Sequence, residues 1–197
     1  LQADAAAQVE RARAAVGVPL LIGAVLNEPV GANSNVSLFY TDGGSEPQRY
    51  TKLHPVPFAE YMPSRDFFRR FTPAVDLAGN FVAGTEIGVF PVPAPGGESV
   101  ALPTICFEVA YDGLMRDSVL AAGEQESLLV VQTNNATFGY TAESEQQFAI
   151  SRIRAAGGDH VAPYLFSMCG RICEPSPSRN RPPLISCRSH AALARCI

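Results

Sequence analysis

The chain has 197 residues, of which 47% are hydrophobic and 17% are charged, and its formal net charge at pH 7 is −4. This length suits one domain with a sizeable core, and the hydrophobic content excludes global disorder. The negative charge gives no argument for a nucleic-acid partner, and no apolar stretch reaches the roughly 18 to 20 residues that a membrane-spanning helix needs.

The first fifty residues predict a helix followed by three strands. Residues 4–16 are rich in alanine and stop at Gly17, which is typical of a helix and its end. Leu20–Leu26 is an apolar run of strand length, which predicts a strand buried on both faces. Residues 35–40 and 48–52 are the next strand candidates. Because the chain starts without methionine and without a signal-peptide pattern, we expect it to be a piece of a longer protein.

After one irregular loop, strands and helices alternate up to residue 155. Three prolines within residues 55–63 forbid regular structure, so residues 52–63 are predicted to form a fixed loop. The further predicted elements are a short helix over 65–71, strands over 89–92, 100–107 and 128–133, and helices over 114–122 and 143–155. Strands that alternate with helices indicate an α/β layered domain.

The composition changes abruptly after Ala155. Residues 1–155 carry 10 basic and 17 acidic side chains, whereas residues 156–197 carry five and two. The last segment also holds five prolines and four of the five cysteines. We therefore predict a folded domain over residues 1–155 and an irregular tail, rich in Arg, Pro and Cys, over residues 156–197. Our hypothesis for this change is a shift of reading frame near Ala155, which the other frames of the coding DNA test.

The tail allows one alternative, a structural zinc site. The residues that would supply its ligands are Cys169, Cys173, Cys187, His190 and Cys196. Their spacing fits zinc ligands only roughly, and the surrounding Ser, Pro and Arg residues lack the apolar side chains that a zinc module packs around its metal. An irregular tail is therefore the preferred interpretation.

One cysteine and one lysine stand out in the first 155 residues. Cys106 is the only cysteine there, and it ends a predicted strand, where α/β sheets place their ligand crevice; a buried structural thiol is the alternative. Lys52 is the only lysine of the chain, against 14 arginines, which indicates a role that needs a compact point charge. Glu60 and Glu108 follow these two residues closely, and a solvated or salt-bridged carboxylate is the alternative for each.

Two other features also have alternatives. His54 allows Cys-His chemistry, although a loop histidine is more often a polar surface residue. A set of apolar residues in and after the loop suits either a lid that faces lipid or the core of the domain. These residues are Phe58, Tyr61, Met62, Phe67, Phe68 and Phe71.

Four segments together resemble the catalytic domain of apolipoprotein N-acyltransferases. Residues 52–63 read KLHPVPFAEYMP and resemble the lysine loop of that family, K-x-H-x-V-P-F-x-E-x-x-P. Residues 104–108, TICFE, resemble its nucleophile segment, in which an apolar strand ends in I-C-[YF]-E. Residues 133–139, TNNATFG, and 146–155, QQFAISRIRA, resemble the strand end and the helix that follow in the family.

The resemblance implies a fold and a mechanism. The family belongs to the nitrilase superfamily, so the expected fold is an α/β, nitrilase-like α-β-β-α sandwich, incomplete at both ends. Cys106 would attack the acyl ester of a phospholipid and form a thioester, while Lys52 and the backbone N–H of Phe107 stabilise the oxyanion. The N-terminal amine of a diacylglyceryl-cysteine lipoprotein would then take the acyl chain. Glu60 and Glu108 would support the site by orienting Lys52 and binding the proton of the incoming amine.

The resemblance also implies partners, a location and two alternatives. The expected partners are a phospholipid donor, an apolipoprotein acceptor and, through helices of the parent protein, the cell membrane, with the catalytic domain on its extracytoplasmic face. No cofactor, metal or nucleic acid is expected. Because no residue matches the glutamate base that the family carries upstream of the first helix, an inactive fragment is one alternative. The other is a soluble carbon–nitrogen hydrolase (an amidase) of the same superfamily, in which water replaces the amine.

Overall fold

The chain divides into two compact units, Leu1–Glu86 and Ile87–Ile197. The residues that the computed structural model describes are 3–41, 46–94, 97–134, 141–156, 161–167, 173–175 and 185–187. Each unit has its own sheet, and each carries part of the predicted site.

A helix and a three-stranded antiparallel sheet begin the first unit. The elements are α1 (Ala3–Val16), β1 (Leu20–Leu26), β2 (Ser34–Tyr40) and β3 (Gln48–Thr51), and the strand order is β1-β2-β3. The alanine-rich sequence of α1 has a high helix propensity, and Gly17, with a φ of 64°, ends the helix. β1 and β2 pair along their whole length, from Leu20 opposite Tyr40 to Leu26 opposite Ser34.

β2 carries the core of this sheet, and β1 is its edge. Val36, Leu38 and Tyr40 on β2 are buried, and apolar residues of α1 and β1 pack against them. The prediction that β1 is buried on both faces is wrong, since most of its residues are half-buried and Val25 is 53% exposed. In the described sheet β1 pairs with β2 alone. An antiparallel edge strand of this kind covers the core with alternate residues only.

The proline-rich loop leads into two short helices. The helix α2 spans Arg65–Arg69, and a 3-10 helix spans Pro73–Leu77. The guanidinium group of Arg65 donates hydrogen bonds to the carbonyl of Val75 at 2.9 Å and to that of Gly79 at 2.7 Å. One side chain thus ties the start of α2 to the residues in and after the 3-10 helix.

A mixed four-stranded sheet with helices forms the second unit. Its elements are β4 (Phe90–Ala94), β5 (Gly97–Ile105), a 3-10 helix (Cys106–Ala110), α3 (Asp112–Ala122), β6 (Ser127–Thr133), α4 (Glu143–Ala156) and β7 (Val161–Ser167). The strand order is β4-β5-β6-β7, with β4 antiparallel to β5 and the other pairings parallel. Leu102 and Val131, on β5 and β6, are 0% and 2% exposed. Their continuous apolar sequences predict such central parallel strands.

Part of the segment that was expected to be irregular forms strands. β7 pairs with β6 over seven positions, from residue 161 to residue 167. β8 (Cys173–Pro175) and β9 (Ile185–Cys187) form a short antiparallel ribbon. The sequence of β7, VAPYLFS, is typical of a strand in a parallel sheet, and the composition of residues 156–197 taken as a whole hides it. The rest of this segment lies outside the described residues.

β5 ends earlier than its apolar sequence predicts. The strand was expected to continue to residue 107, but it stops at Ile105, and the 3-10 helix begins at Cys106. Cys106 therefore lies directly after the carboxyl end of a strand that pairs in parallel with β6. In open α/β sheets this is the edge at which ligands bind.

Candidate functional site

Lys52 follows β3 and is buried within the first unit. Its side chain is only 1% exposed, although a lysine is almost never buried without a partner. Its N–H donates to the carbonyl of Asn35 at 2.9 Å, and its carbonyl accepts from the N–H of Gly84 at 2.7 Å. Hydrogen bonds on both sides of the main chain therefore fix the point from which the lysine side chain extends.

Glu60 is the partner that makes this burial possible. The Nζ atom of Lys52 lies 2.7 Å from Oε2 of Glu60, and the same oxygen accepts the N–H of Val56 at 2.6 Å. The other carboxylate oxygen accepts from Nδ2 of Asn35 at 3.3 Å. These bonds hold the carboxylate in place and compensate the buried ammonium. We call Lys52, Glu60, Asn35 and Val56 the lysine cluster.

The loop between Lys52 and Glu60 folds back on itself. The N–H of Glu60 donates to the carbonyl of Val56 at 2.8 Å, and the N–H of Phe58 donates to the carbonyl of Tyr61 at 2.7 Å. Phe58 has a φ of 66°, which is uncommon for a residue with a side chain. The prolines on both sides of Val56 restrict the chain further. The predicted fixed loop is therefore observed, and it brings Glu60 to Lys52.

Cys106 adopts a left-handed backbone conformation at the end of β5. Its φ is 57°, a value that few residues other than glycine take. A residue strained in this way persists only where its surroundings hold it, and such residues cluster at functional sites. The thiol is half-buried and forms no disulfide. This geometry favours the nucleophile over the alternative of an ordinary core thiol.

The helix α4 contacts the turn that carries Cys106 at two points. Gln147, which is buried, donates from Nε2 to the carbonyl of Cys106 at 2.7 Å. Arg154, about two helical turns further on, donates to the carbonyl of Val109 at 2.9 Å and to that of Ala110 at 3.0 Å. We call Cys106–Ala110 the cysteine turn. Both ends of this turn are therefore held by one face of α4.

Glu108 and Phe107 take different positions in the cysteine turn. Glu108 is 0% exposed, and its Oε2 accepts the N–H of Ile105 at 2.8 Å. Phe107 is 46% exposed, and its ring packs edge-to-face on Tyr111 with 6.3 Å between the ring centroids. One oxygen of the expected supporting carboxylate is thus bound to the backbone N–H directly before Cys106.

The five predicted site residues fall into two sets, one in each unit. Lys52 and Glu60 are brought together in the first unit, at 2.7 Å between their charged atoms. Cys106, Phe107 and Glu108 are consecutive in the second unit and form the first part of the cysteine turn.

Two residues that contact these sets were not identified from the sequence. Asn35 binds Glu60 across 25 residues, and Gln147 binds the carbonyl of Cys106 across 41 residues. Separations of this size leave no spacing pattern to recognise. The only signal for Asn35 is an asparagine within a strand, where this residue type is disfavoured.

The aromatic residues near the loop are largely exposed. Phe58, Phe67 and Phe71 are 62%, 56% and 73% exposed, so the core alternative is wrong for these three. Phe68 links two of them, since its ring centroid lies 6.1 Å from that of Phe58 and 5.3 Å from that of Phe67. Phe67 in turn lies 5.3 Å from Phe71 between ring centroids. We call these four residues the aromatic patch. The other two residues of the predicted set are half-buried.

The remaining candidates are placed as follows. His54 is half-buried in the loop of the first unit. Cys173 and Cys187 lie opposite each other in the β8–β9 ribbon, and the other tail cysteines and His190 lie outside the described residues.

Among the residues that the structure describes, no group of three or more His, Cys, Asp or Glu side chains is placed to hold a metal ion. No helix in this same part of the chain has the length and apolar character of a membrane span.

The fold has a counterpart among solved structures. A mutant of an amidase from Nesterenkonia AN1, of the nitrilase superfamily, matches with a TM-score of 0.51 at 19% identity. The match covers 84% of this chain and 56% of the amidase chain. The expected α/β fold of the nitrilase superfamily is therefore confirmed over part of its length.

Relatives in sequence define the family more closely, although no protein-family model matches the chain. An apolipoprotein N-acyltransferase of Mycolicibacterium smegmatis is 38% identical over 166 residues, which are 81% of this chain and 26% of the relative. The apolipoprotein N-acyltransferase of Bradyrhizobium diazoefficiens is 34% identical over 54% of this chain and 19% of its own length. Apolipoprotein N-acyltransferase 2 of Treponema pallidum is 32% identical over 71% of this chain and 26% of its own length.

These matches confirm the resemblance to apolipoprotein N-acyltransferases. Over the matched residues, the chain is a homologue of proteins that are named apolipoprotein N-acyltransferase. It spans about a quarter of the length of the relative from Mycolicibacterium smegmatis.

Proposed function

We propose that this chain supplies the nucleophile and the oxyanion-binding cation of a lipoprotein N-acyltransferase. In the first half-reaction the thiolate of Cys106 adds to the ester carbonyl of a phospholipid. The bond to the glycerol oxygen breaks, that oxygen takes a proton, and a thioester and a lysophospholipid result. In the second half-reaction the N-terminal amine of a diacylglyceryl-cysteine lipoprotein adds to the thioester. The bond to the sulfur of Cys106 breaks, the amine nitrogen loses a proton, and an amide and the free Cys106 side chain result. One covalent intermediate shared by two half-reactions gives ping-pong kinetics.

The observation that carries this proposal is the conformation of Cys106. A half-buried free thiol with a φ of 57°, directly after a parallel strand and held by a buried glutamine, is a costly arrangement for a residue that only packs. The family of the relatives adds support, because their printed name describes acyl transfer to apolipoproteins.

Lys52 and the N–H of Phe107 are proposed to bind the oxyanion of the tetrahedral intermediate. Glu60 keeps the ammonium of Lys52 in one position before any substrate arrives, so no reorganisation is needed when negative charge develops. A preorganised donor at an oxyanion contributes about 3 to 4 kcal/mol of transition-state stabilisation. Glu60 is thus proposed to orient Lys52, and Glu108 to support the backbone of the nucleophile.

The thiol of Cys106 also needs a proton acceptor. The resemblance implies that a glutamate upstream of the first helix supplies it. A general base contributes about 10²–10⁴ in rate. Whether such a base is present therefore decides between an active enzyme and an inactive one.

The aromatic patch supports a lipid as the acyl donor. Exposed phenylalanine side chains gain free energy when they enter the boundary between headgroups and acyl chains. Arg70, exposed beside Phe71 in sequence, adds a positive charge that suits phospholipid phosphate. We propose that the chain acts at the cell membrane, on its extracytoplasmic face, with the patch next to the phospholipid donor.

Acyl transfer measured with the full-length gene product tests the proposal. The donor is phospholipid in vesicles, the acceptor is a diacylglyceryl-cysteine peptide, and mass spectrometry measures the acylated peptide. Cys106→Ala should abolish transfer, and Lys52→Met should lower kcat by about 10²–10³-fold. Arg116→Met, which removes an exposed cation from α3, is the control and should leave kcat unchanged. Transfer that persists in Cys106→Ala would refute the proposal.

Hydrolysis of a small amide is the second candidate, because the fold matches that of an amidase. The same nucleophile would serve, with water in place of the amine. Two assays on one preparation separate the candidates: release of ammonia from short aliphatic amides, and acylation of the lipopeptide. Ammonia release without acylated peptide would favour the amidase.

A further inference from the structure

The peptide unit between Cys106 and Phe107 is held from one side by Gln147. The amide of Gln147 lies 2.7 Å from the carbonyl oxygen of Cys106, and the glutamine side chain is 4% exposed. This bond reaches across 41 residues, from α4 to the cysteine turn. It is therefore a tertiary contact made to one particular carbonyl group.

Holding this carbonyl also determines the direction of the next N–H. The peptide unit is planar and trans, so its C=O and its N–H point to opposite sides of the chain. With the carbonyl of Cys106 directed to Gln147, the N–H of Phe107 is directed away from α4. A rotation of this peptide unit would reverse the directions of both groups. Because the φ of Cys106 is strained, the local backbone alone does not prevent this rotation.

We infer that Gln147 is a positioning residue that aims the N–H of Phe107 at the oxyanion. The inference rests on the proposed function, in which this N–H and Lys52 bind the negative charge of the tetrahedral intermediate. Gln147 touches no reacting atom and acts through the peptide unit alone. Arg154 holds the far end of the same turn through the carbonyls of Val109 and Ala110, so α4 acts as a template for the turn.

The test compares two reactions of one thiol in the full-length gene product. Acyl transfer requires an oxyanion donor, whereas alkylation of Cys106 by iodoacetamide is a displacement that requires only the thiolate. Gln147→Met keeps the approximate shape but removes the donor, and it should lower kcat for acyl transfer by about 10- to 100-fold with KM unchanged. The alkylation rate of Cys106 should change by less than about threefold, since the thiol itself keeps its place.

Two further variants of α4 complete the comparison. Gln147→His restores a donor of similar reach and should recover most of the lost kcat. Glu145→Gln, an exposed change on the same helix, should leave both reactions as they were. Parallel loss of acyl transfer and alkylation in Gln147→Met, or no loss of transfer, would overturn the inference, and so would a folded Gln147→His without recovery. Absence of Cys106-dependent transfer in the unsubstituted protein would instead overturn the proposed function, and this inference with it.

Discussion

Lys52 and Arg69 show how burial changes the value of an ion pair. Lys52 is 1% exposed and lies 2.7 Å from Glu60, whereas Arg69 is 49% exposed and lies at the same distance from Asp76. The distances are equal, so the two pairs differ mainly in their contact with water. A buried ammonium destabilises the fold unless an anion compensates its charge. An exposed ion pair is only slightly more stable than its two ions separately hydrated by water.

Substitutions of the buried pair should therefore be strongly coupled. Lys52→Met leaves the carboxylate without its cation, and Glu60→Gln leaves the buried ammonium uncompensated. Each single change should lower the free energy of unfolding by about 2 to 4 kcal/mol, less than for a fully buried pair because Glu60 is 19% exposed. The double variant should be more stable than the sum of the single losses predicts, by about 1 to 3 kcal/mol in urea unfolding.

The exposed pair is the matched control for this cycle. Coupling between Arg69 and Asp76 should be far weaker and should fall as salt is added. The hydrogen bond from Arg69 lowers the pKa of Asp76 below its ordinary value. Their coupling is therefore present at neutral pH and is lost as the pH falls through that lowered pKa. Equal coupling in the two pairs would contradict our account of Lys52.

The proposed catalytic residues are easier to identify from the sequence than the residues that contact them. Lys52 stands out by composition, and Cys106 by its place after an apolar strand. Asn35 and Gln147 remain hidden because each binds its target through a distant part of the chain. The role of such an amide side chain can be recognised only when the fold places it beside a carboxylate or a carbonyl.

At the scale of elements, apolar runs and turn residues predict most of the order. Side-chain caps and the position of a strand in its sheet decide where a strand ends and how deeply it is buried. The predicted strand over residues 100–107 loses its last two positions because the carboxylate of Glu108 binds the N–H of Ile105 and starts a helical turn. Conversely, the apolar run of β1 predicts complete burial, but its place at the edge of the described sheet exposes Val25. The first difference comes from a side-chain contact only three residues along the chain, which an apolar pattern does not register. The second comes from strand pairing, which the local sequence does not encode.

Gly84 shows how closely one element can pack on another. A Cβ atom at this position would overlap the carbonyl oxygen of Thr51, at the end of β3 and next to Lys52. Gly84→Ala should therefore shift this backbone and lower the free energy of unfolding by about 1 to 3 kcal/mol or more. Urea unfolding of the purified variant measures this loss.

Gly113→Ala is the control for that substitution. Nothing lies within 4 Å of a Cβ atom at Gly113, which is in the first turn of α3. Alanine there should raise the free energy of unfolding by about 0.5 to 1 kcal/mol, because it restricts the unfolded chain and favours the helix. If both variants had the unsubstituted stability, the packing that we describe for Gly84 would be wrong.

At the scale of the whole molecule, sequence and structure divide the chain at different places. Composition predicts a change at Ala155, whereas the compact units meet between Glu86 and Ile87. No shift of charge or hydrophobicity marks residue 86, because the unit boundary depends on which strands pair. The boundary at Ala155 stays a prediction, and the reading frames of the coding DNA are its test.

The aromatic patch should matter for lipid donors alone. In the full-length gene product, Phe67→Ser combined with Phe71→Ser should lower the rate with vesicle phospholipid by about tenfold or more, because apolar area that enters the bilayer is lost. The rate with a water-soluble short-chain thioester donor should stay unchanged. Val30→Ser, a fully exposed apolar residue elsewhere in the first unit, is the control. Equal losses with both donors would show that the patch supports the fold instead.

The central claim is that Cys106 carries the acyl group. Its most direct test is peptide mass spectrometry of the full-length gene product after incubation with phospholipid and without an acceptor. We predict an acyl mass on the peptide that contains Cys106, removed by neutral hydroxylamine, transferred when the acceptor lipopeptide is added, and absent from Cys106→Ala. No acyl adduct at Cys106, or an unchanged adduct in Cys106→Ala, would contradict the account.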